Sequence, residues 1–345
     1  MHNLNIALIG FGSVGQEFSR ILIECEKEWA EHYGCSCKVV AIITRSKGSL
    51  LNKAGVDLKR TLREIKDTGR FSPDNPDQST LSTAEIIAHK DVDLVIEITT
   101  LNIENGQPAA DHIAGALKNG KHVITANKGP IAFHYRELKQ LAEKENRYFY
   151  FEGTVMDGAP VFNLLRETLP GCSVTGYSGI LTGTTNVILC EMAAGNSFEA
   201  SLQTAQKMGW AEADPSLDLD GWDSAAKTAA LLNVLMDAAV TPHHVERTGI
   251  SKISIEMIEA ASAEGKVIKL LCEGFISGGT PHGKVAPVAI AQTHPLAHIS
   301  GTSSTLTIET DFTGRLTIEI EEPKIRQTAY ALVSDLLTIA KNLDQ

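Results

Sequence analysis

Apolar residues run along this chain in two rhythms. Residues 4–9, Leu-Asn-Ile-Ala-Leu-Ile, form a short apolar run that stops at Gly10-Phe-Gly-Ser-Val-Gly15, and a long amphipathic stretch over 13–33 follows. Residues 39–43 and 92–98 are β-branched runs, separated by helical stretches near 58–67 and 83–89 and by a polar loop at 72–79. Then come a helix over 108–119, a strand at 122–125, a helix near 134–145 and an aromatic-rich strand at 148–151. Strands alternating with amphipathic helices predict a doubly wound parallel sheet, an α/β fold, over residues 1–150.

The rest of the chain reads differently. Residues 159–169 look helical, 173–181 extended, and 197–208, 223–239 and 251–263 helical. The segment 306–320 alternates apolar and polar residues on both sides of Thr313-Gly314, which predicts a hairpin with one buried face. A final helical stretch covers 327–343. This mixture predicts a second, α+β domain over 151–324, with the last helix, 325–345, returning to the first.

Composition narrows the partners. The 345 residues hold 42 acidic against 31 basic side chains, a formal net charge of -11, which argues against duplex nucleic acid. No apolar run approaches the roughly 20 residues that span a bilayer, and the N-terminus lacks the basic flank of a signal peptide. The expectation is a soluble, cytoplasmic protein. Six scattered cysteines include one C-x-C and no C-x-x-C, so they read as reduced core residues rather than a zinc or redox centre.

The candidate chemistry begins at Gly10-x-Gly12-x-x-Gly15. Between a strand and a helix, the first glycine allows the tight turn, the second lets the backbone approach a pyrophosphate, and the third lets helix and strand pack closely. The loop 10–15, comprising Gly10, Phe11, Gly12, Ser13, Val14 and Gly15, is therefore the expected dinucleotide cradle of a Rossmann-type domain. At the end of the second strand stand Thr44-Arg45-Ser46-Lys47, two cations and a hydroxyl with no carboxylate. That chemistry suits a 2′-phosphate, so NADP is expected over NAD, with Arg45 as its contact. The competing reading is that Arg45 and Lys47 merely solvate a loop.

A second constellation is Glu212-Ala-Asp214-Pro-Ser-Leu-Asp218-Leu-Asp220-Gly221-Trp-Asp223-x-x-x-Lys227. A calcium loop would need a bidentate glutamate where Lys227 stands, which argues strongly against it. An ordinary i,i+4 ion pair on a solvated face is the other plain reading. The neighbours Ala225, Ala226, Ala229, Ala230, Leu231 and Leu232 instead predict a largely buried helix. A buried aspartate–lysine pair is costly, and a lysine oriented by an aspartate is suited to proton transfer at a carbonyl.

Together these residues resemble the homoserine dehydrogenase family, over nearly the whole chain. Gly10–Gly15 matches its cofactor loop, Thr125-Ala-Asn-Lys128 its T-A-N-K segment, and Glu152-Gly-Thr-Val155 stands at its E-A-T-V. Gly179-Ile-Leu-Thr-Gly-Thr-Thr-Asn186 stands at its G-I-x-N-G-T-x-N, and Gly209 through Asp223 and Lys227 keeps its spacing. The resemblance implies interconversion of aspartate 4-semialdehyde and homoserine with NAD(P)H, in the biosynthesis of threonine and methionine. It implies that Glu212 binds the substrate amino group, that Asp223 orients the hydroxyl, and that Lys227 and Lys128 flank the reacting carbonyl. Lys227 is the better proton carrier of the two. Thr182 would line the substrate pocket, and Thr99 and Lys128 would join the cofactor site. A structural monovalent cation at Glu152, Val155, Asp157 and Ala159 and a homodimer formed through the second domain are also implied.

The chain departs from the family at Met156-Asp157 (usually glycines), at Thr182, and at Glu319–Arg326, where the family has a glycine-rich turn. These departures keep two alternatives open: the same chemistry on another small hydroxy acid or amino alcohol, and a non-catalytic NADP-binding sensor. A cysteine-based acylating enzyme has no nucleophile motif to support it. Its 345 residues are used up by the two domains, so this resembles the short form of the family. Inhibition by threonine through an appended domain is not expected.

Overall fold

A computed structural model describes residues 2–343. The chain divides into two units: residues 1–130, 136–160 and 324–345, and residues 131–135 and 161–323.

In the first unit, the apolar runs become strands β1 (His2–Ile9), β2 (Cys35–Ile43), β3 (Ser49–Leu51), β4 (Leu94–Glu97), β5 (His122–Thr125) and β6 (Phe149–Tyr150). They form one sheet in the order β3-β2-β1-β4-β5-β6, parallel except for the antiparallel edge strand β3. The order reverses between β2 and β4 across β1, which puts a switch point at the carboxyl end of β1, where doubly wound folds bind ligands. β4 and β5 are buried at every position, as a sheet covered on both faces requires. Helices α1 (Ser13–Tyr33), α2 (Leu58–Thr68), α3 (Thr83–Ile87), α4 (Ala109–Lys118) and α5 (Lys128–Lys144) connect them. The C-terminal helix, Ile325–Asn342, adds Leu332, Val333, Leu336 and Ile339 to the same core as Ile6, Leu8 and Phe18.

Two details differ from expectation. The helix expected near 134–145 starts at Lys128, with Asn127 as its cap and a non-helical break at His134. Its first turn holds Gly129-Pro130, and proline is tolerated there because its missing N–H has no intrahelical partner. Edge strand β3 was not expected at all.

In the second unit, the stretch 159–169 is a short helix, α6 (Val161–Asn163), that widens into a π-helical turn at Leu164–Thr168. α7 (Gly183–Ala193), α8 (Phe198–Lys207), α9 (Ser216–Leu219), α10 (Trp222–Met236) and α11 (Ile255–Ala263) complete its helices. β7 (Val174–Ile180), β8 (Glu246–Arg247), β9 (Lys266–Ser277), β10 (Thr280–Ala291), β11 (Ser304–Thr310) and β12 (Gly314–Ile320) form a sheet in the order β12-β11-β7-β9-β10-β8. The hairpin expected at 306–320 is present as β11 and β12, with its buried face on β11. The long hairpin of β9 and β10 is an addition. Among the described residues, no helix is long and apolar enough to cross a membrane.

Candidate active site

The glycine loop leaves the carboxyl end of β1. Gly10 has φ +106° and a Cβ there would stand 2.5 Å from the Ile98 carbonyl oxygen, so only glycine fits. A Cβ on Gly12 would meet nothing within 4 Å, which leaves the backbone open on that side, and one on Gly15 would press into Ile98 at 2.8 Å. Gly12 also caps α1 with no side-chain hydrogen bond, and no acidic residue sits in the first turn. An anion placed there meets backbone N–H groups and the positive end of the helix dipole. These residues fit a dinucleotide pyrophosphate.

The turn after β2 brings a cation to this loop. Thr44 Oγ1 accepts from Lys47 N at 2.8 Å and donates to the Gly48 carbonyl at 2.8 Å, folding the turn back. Lys47 Nζ thereby reaches the Phe11 carbonyl at 2.7 Å, while Arg45 is exposed. Lys47 thus touches the glycine loop directly, while Arg45, the expected 2′-phosphate contact, stands on the exposed part of the same turn.

Beyond the switch point, the turn after β5 is built on side chains. Asn127 N donates to Thr125 Oγ1 at 2.9 Å, Asn127 Nδ2 reaches the Thr99 carbonyl at 3.1 Å, and Gly129 N donates to Asn127 Oδ1 at 3.1 Å. Thr99 and Lys128, the first residue of α5, are fixed by this one network.

In the second unit, α10 carries Asp223 and Lys227 one turn apart. Lys227 Nζ lies 3.2 Å from Asp223 Oδ2 and donates to the Leu181 carbonyl at 2.5 Å; each side chain is 15% exposed. The pair is therefore mostly buried but keeps an open edge. Thr182 Oγ1 donates to Asp223 Oδ2 at 3.1 Å and lies 2.8 Å from Ser224 Oγ. Thr182 reaches this position because β7 ends at Ile180 and α7 begins at Gly183. Arg247, stacked 3.8 Å over the Trp222 ring, covers the start of α10. Cys272, fully buried on β9, has its thiol pushed up to about 11, chiefly by burial, with neighbouring hydroxyls and Lys227 opposing. It stays protonated, so it is no nucleophile.

Glu212 stands exposed in the loop between α8 and α9, and its backbone carbonyl accepts from Gln206 Nε2 at 3.3 Å. Thr184 Oγ1 holds the same loop through the Trp210 carbonyl at 2.7 Å. Glu152, Val155 and Ala159 are buried, and Asp157 lies in the left-handed region at φ +51°. Asp157 Oδ1 accepts from Thr328 Oγ1 at 2.7 Å, so this carboxylate fastens the C-terminal helix. A cation at these four positions could draw on backbone oxygens and on the carboxylates of Glu152 and Asp157.

Residues 10–152 match the family described as "Homoserine dehydrogenase, NAD binding domain", and residues 160–337 the one described as "Homoserine dehydrogenase". The chain belongs to the homoserine dehydrogenase family. It is 36% identical over 337 residues to a homoserine dehydrogenase of Methanocaldococcus jannaschii, covering 97% of this chain and 98% of that one. It is 34% identical over 340 residues to an NAD(+)-dependent homoserine dehydrogenase of Pseudomonas canavaninivorans, covering 98% and 97%. The crystal structure of homoserine dehydrogenase from Thermoplasma acidophilum superposes with a TM-score of 0.84 at 26% identity, covering 99% of this chain and 100% of that one. Two-domain homoserine dehydrogenases are thus matched over their whole length, with the NAD-binding and catalytic parts in the same order.

Proposed function

We propose that this protein is an NADP-preferring homoserine dehydrogenase that interconverts L-homoserine and L-aspartate 4-semialdehyde. The observation that carries the reading is the Asp223–Lys227 pair, braced by Thr182 and the Leu181 carbonyl and open at one edge.

The nicotinamide, when bound, supplies or accepts the hydride. The chain's own residues handle charge and protons. As the aldehyde is reduced, negative charge grows on its oxygen, and the Lys227 ammonium stabilises that charge and donates the proton from Nζ. In the oxidation direction Nζ takes the hydroxyl proton. Asp223 holds Nζ in place, and Thr182, itself paired with Ser224 Oγ, holds Asp223. By the family resemblance Lys128, the first residue of α5, would be a further cation for the carbonyl, and Glu212 would receive the substrate ammonium.

The preference for NADP rests on the cations after β2 and the absence of a carboxylate there; Lys47 Nζ at the Phe11 carbonyl supports it. The exposed Phe275 and Ile276 on β9 support self-association through the second unit, which light scattering would register as a homodimer. The deciding experiment is a steady-state assay of homoserine oxidation with NADP and with NAD in parallel. The reading expects turnover with both and a higher kcat/KM with NADP, and Lys47→Ala narrowing that gap. Equal or better use of NAD would refute the preference, and no homoserine turnover with either would refute the function.

A further inference from the structure

Glu97 ends β4 with its side chain 0% exposed. A carboxylate in such a place is costly unless its oxygens are satisfied. Oε1 accepts from Thr99 N at 3.2 Å and, at very short range, from Thr99 Oγ1. From the next strand, Thr125 Oγ1 donates to the Glu97 carbonyl at 2.7 Å and lies 3.4 Å from Oε2. His112 approaches from α4. Its Nδ1 stands 3.6 Å from Glu97 Oε1, within ion-pair range, and is buried with no hydrogen-bond partner. A buried polar nitrogen without a partner calls for an explanation, and here it faces a buried acid.

The two threonines that meet Glu97 also begin the network that fixes the cofactor end of β5. Thr99 offers its carbonyl to Asn127 Nδ2, and Thr125 Oγ1 accepts from Asn127 N; Asn127 in turn caps the helix that starts at Lys128. The ends of β4 and β5 lie across the switch point from β2, on the side that takes the nicotinamide half of a dinucleotide in this type of sheet. None of the proton-handling steps above uses Glu97 or His112.

We propose that the buried Glu97 and the half-buried His112 form an acid–imidazole pair, with the imidazole proton on Nδ1 aimed at Oε1, that sets Thr99 and the Thr125–Lys128 turn against the nicotinamide half of the cofactor. Both are positioning residues: they act through Thr99, Thr125 and Asn127. The proposal rests on the dehydrogenase reading only for the identity of the cofactor.

Glu97→Gln keeps the size and an oxygen for Thr99 but removes the charge that His112 faces. His112→Gln removes the ring and leaves the acid. NADPH affinity, read by its fluorescence on binding, is expected to weaken by about tenfold in Glu97→Gln, with kcat falling between about tenfold and a hundredfold as the turn loses its setting. The KM for homoserine should stay at the native value. His112→Gln should show the same pattern to a smaller degree, and the double variant should be no worse than Glu97→Gln alone. Native NADPH affinity in both single variants, or losses that multiply in the double, would overturn the pair. So would a lower melting temperature with native affinity and native kcat. If Glu97→Gln does not fold, His112→Gln and Thr125→Val carry the same test. Because binding is read apart from turnover, a protein that binds NADPH but ignores homoserine would sink the proposed function while still testing this pair.

Discussion

Replacing Lys227 by alanine is the most searching test of the proton-handling arrangement. The substitution removes an ammonium that sits 3.2 Å from Asp223 Oδ2 and 2.5 Å from the Leu181 carbonyl. Loss of a positioned general acid–base costs about 10²–10⁴ in rate, and loss of a preorganised group at a developing oxyanion costs about 10²–10³. One group performs both tasks here, so the two factors overlap, and kcat should fall by at least about 10³, or about 4 kcal/mol of barrier. The structural cost is smaller. Asp223 keeps the Thr182 hydroxyl and some solvent at 15% exposure, so the fold should lose about 1–3 kcal/mol. Homoserine-dependent reduction of NADP, followed by absorbance, measures the first; a urea titration measures the second. NADPH affinity should stay native, since the glycine loop belongs to the other unit. Added methylamine or ethylamine should restore part of the rate, because a free amine can re-enter a cavity shaped for one. A Lys227→Ala protein that keeps more than about a tenth of native kcat would show that the proton moves elsewhere.

Other substitutions probe the scaffold. Gly10→Ala places a Cβ 2.5 Å from the Ile98 carbonyl at φ +106°, so NADPH titration should show binding abolished and stability should fall by about 2 kcal/mol or more. Asp157→Ala loses the 2.7 Å bond to Thr328 while keeping a Cβ at φ +51°, and should cost about 1–2 kcal/mol; Asp157→Gly, which relaxes the backbone, should cost less in the same urea titration. His122 is buried at the start of β5, and burial, with Arg147 second, pushes its imidazole down to about 4. The unfolded chain takes up that proton near the ordinary value of about 6.5, so stability should decline as pH falls from about 6.5 to 4, by up to about 3 kcal/mol. His122→Gln should flatten that stretch of the stability–pH curve, and an unchanged slope would count against the burial argument.

Much of the first unit can be read from the chain because its elements follow single periods. α1 has a 3.6-residue apolar stripe behind a glycine loop, and β4 and β5 are short buried strands built around β-branched residues. The hairpin of β9 and β10 escaped because its burial does not alternate and β10 carries Pro281 and Pro287, which sequence rules demote. One signal was available: Gly278-Gly279, both at positive φ, form the two-residue turn typical of hairpins. α7 escaped because it is buried on nearly all sides and has no stripe. In the site, Asp223 and Lys227 were legible because one helix sets their spacing. Thr182, the Leu181 carbonyl and Lys47 reach their partners from other elements, and Glu97 meets His112 across a strand and a helix. Such pairings depend on tertiary packing, which no local period encodes.

That distinction also bears on the departures from the family pattern. Read along the chain, Asp157 and the carboxylates over 319–322 suggested an altered substrate or cofactor pose. In the structure Asp157 occupies a left-handed position that glycine would favour and spends its Oδ1 on Thr328, in the first turn of the C-terminal helix. Arg326, one residue into that helix, bonds Glu17 at 3.0 Å and Glu24 at 2.5 Å on α1. Glu319 belongs to β12 rather than to a loop, and Glu322 N is tied to Ser303 Oγ at 3.2 Å. Two of the departures, Asp157 and Arg326, thus fasten the C-terminal helix, one to the segment after β6 and one to α1. Both contacts act on the same short helix start, where a loss of register would shift Thr328 and Ala329 together. These residues therefore pin the start of the C-terminal helix and leave Asp223, Lys227 and Glu212 untouched. A change of substrate is to be sought at Thr182, a departure whose side chain touches Asp223.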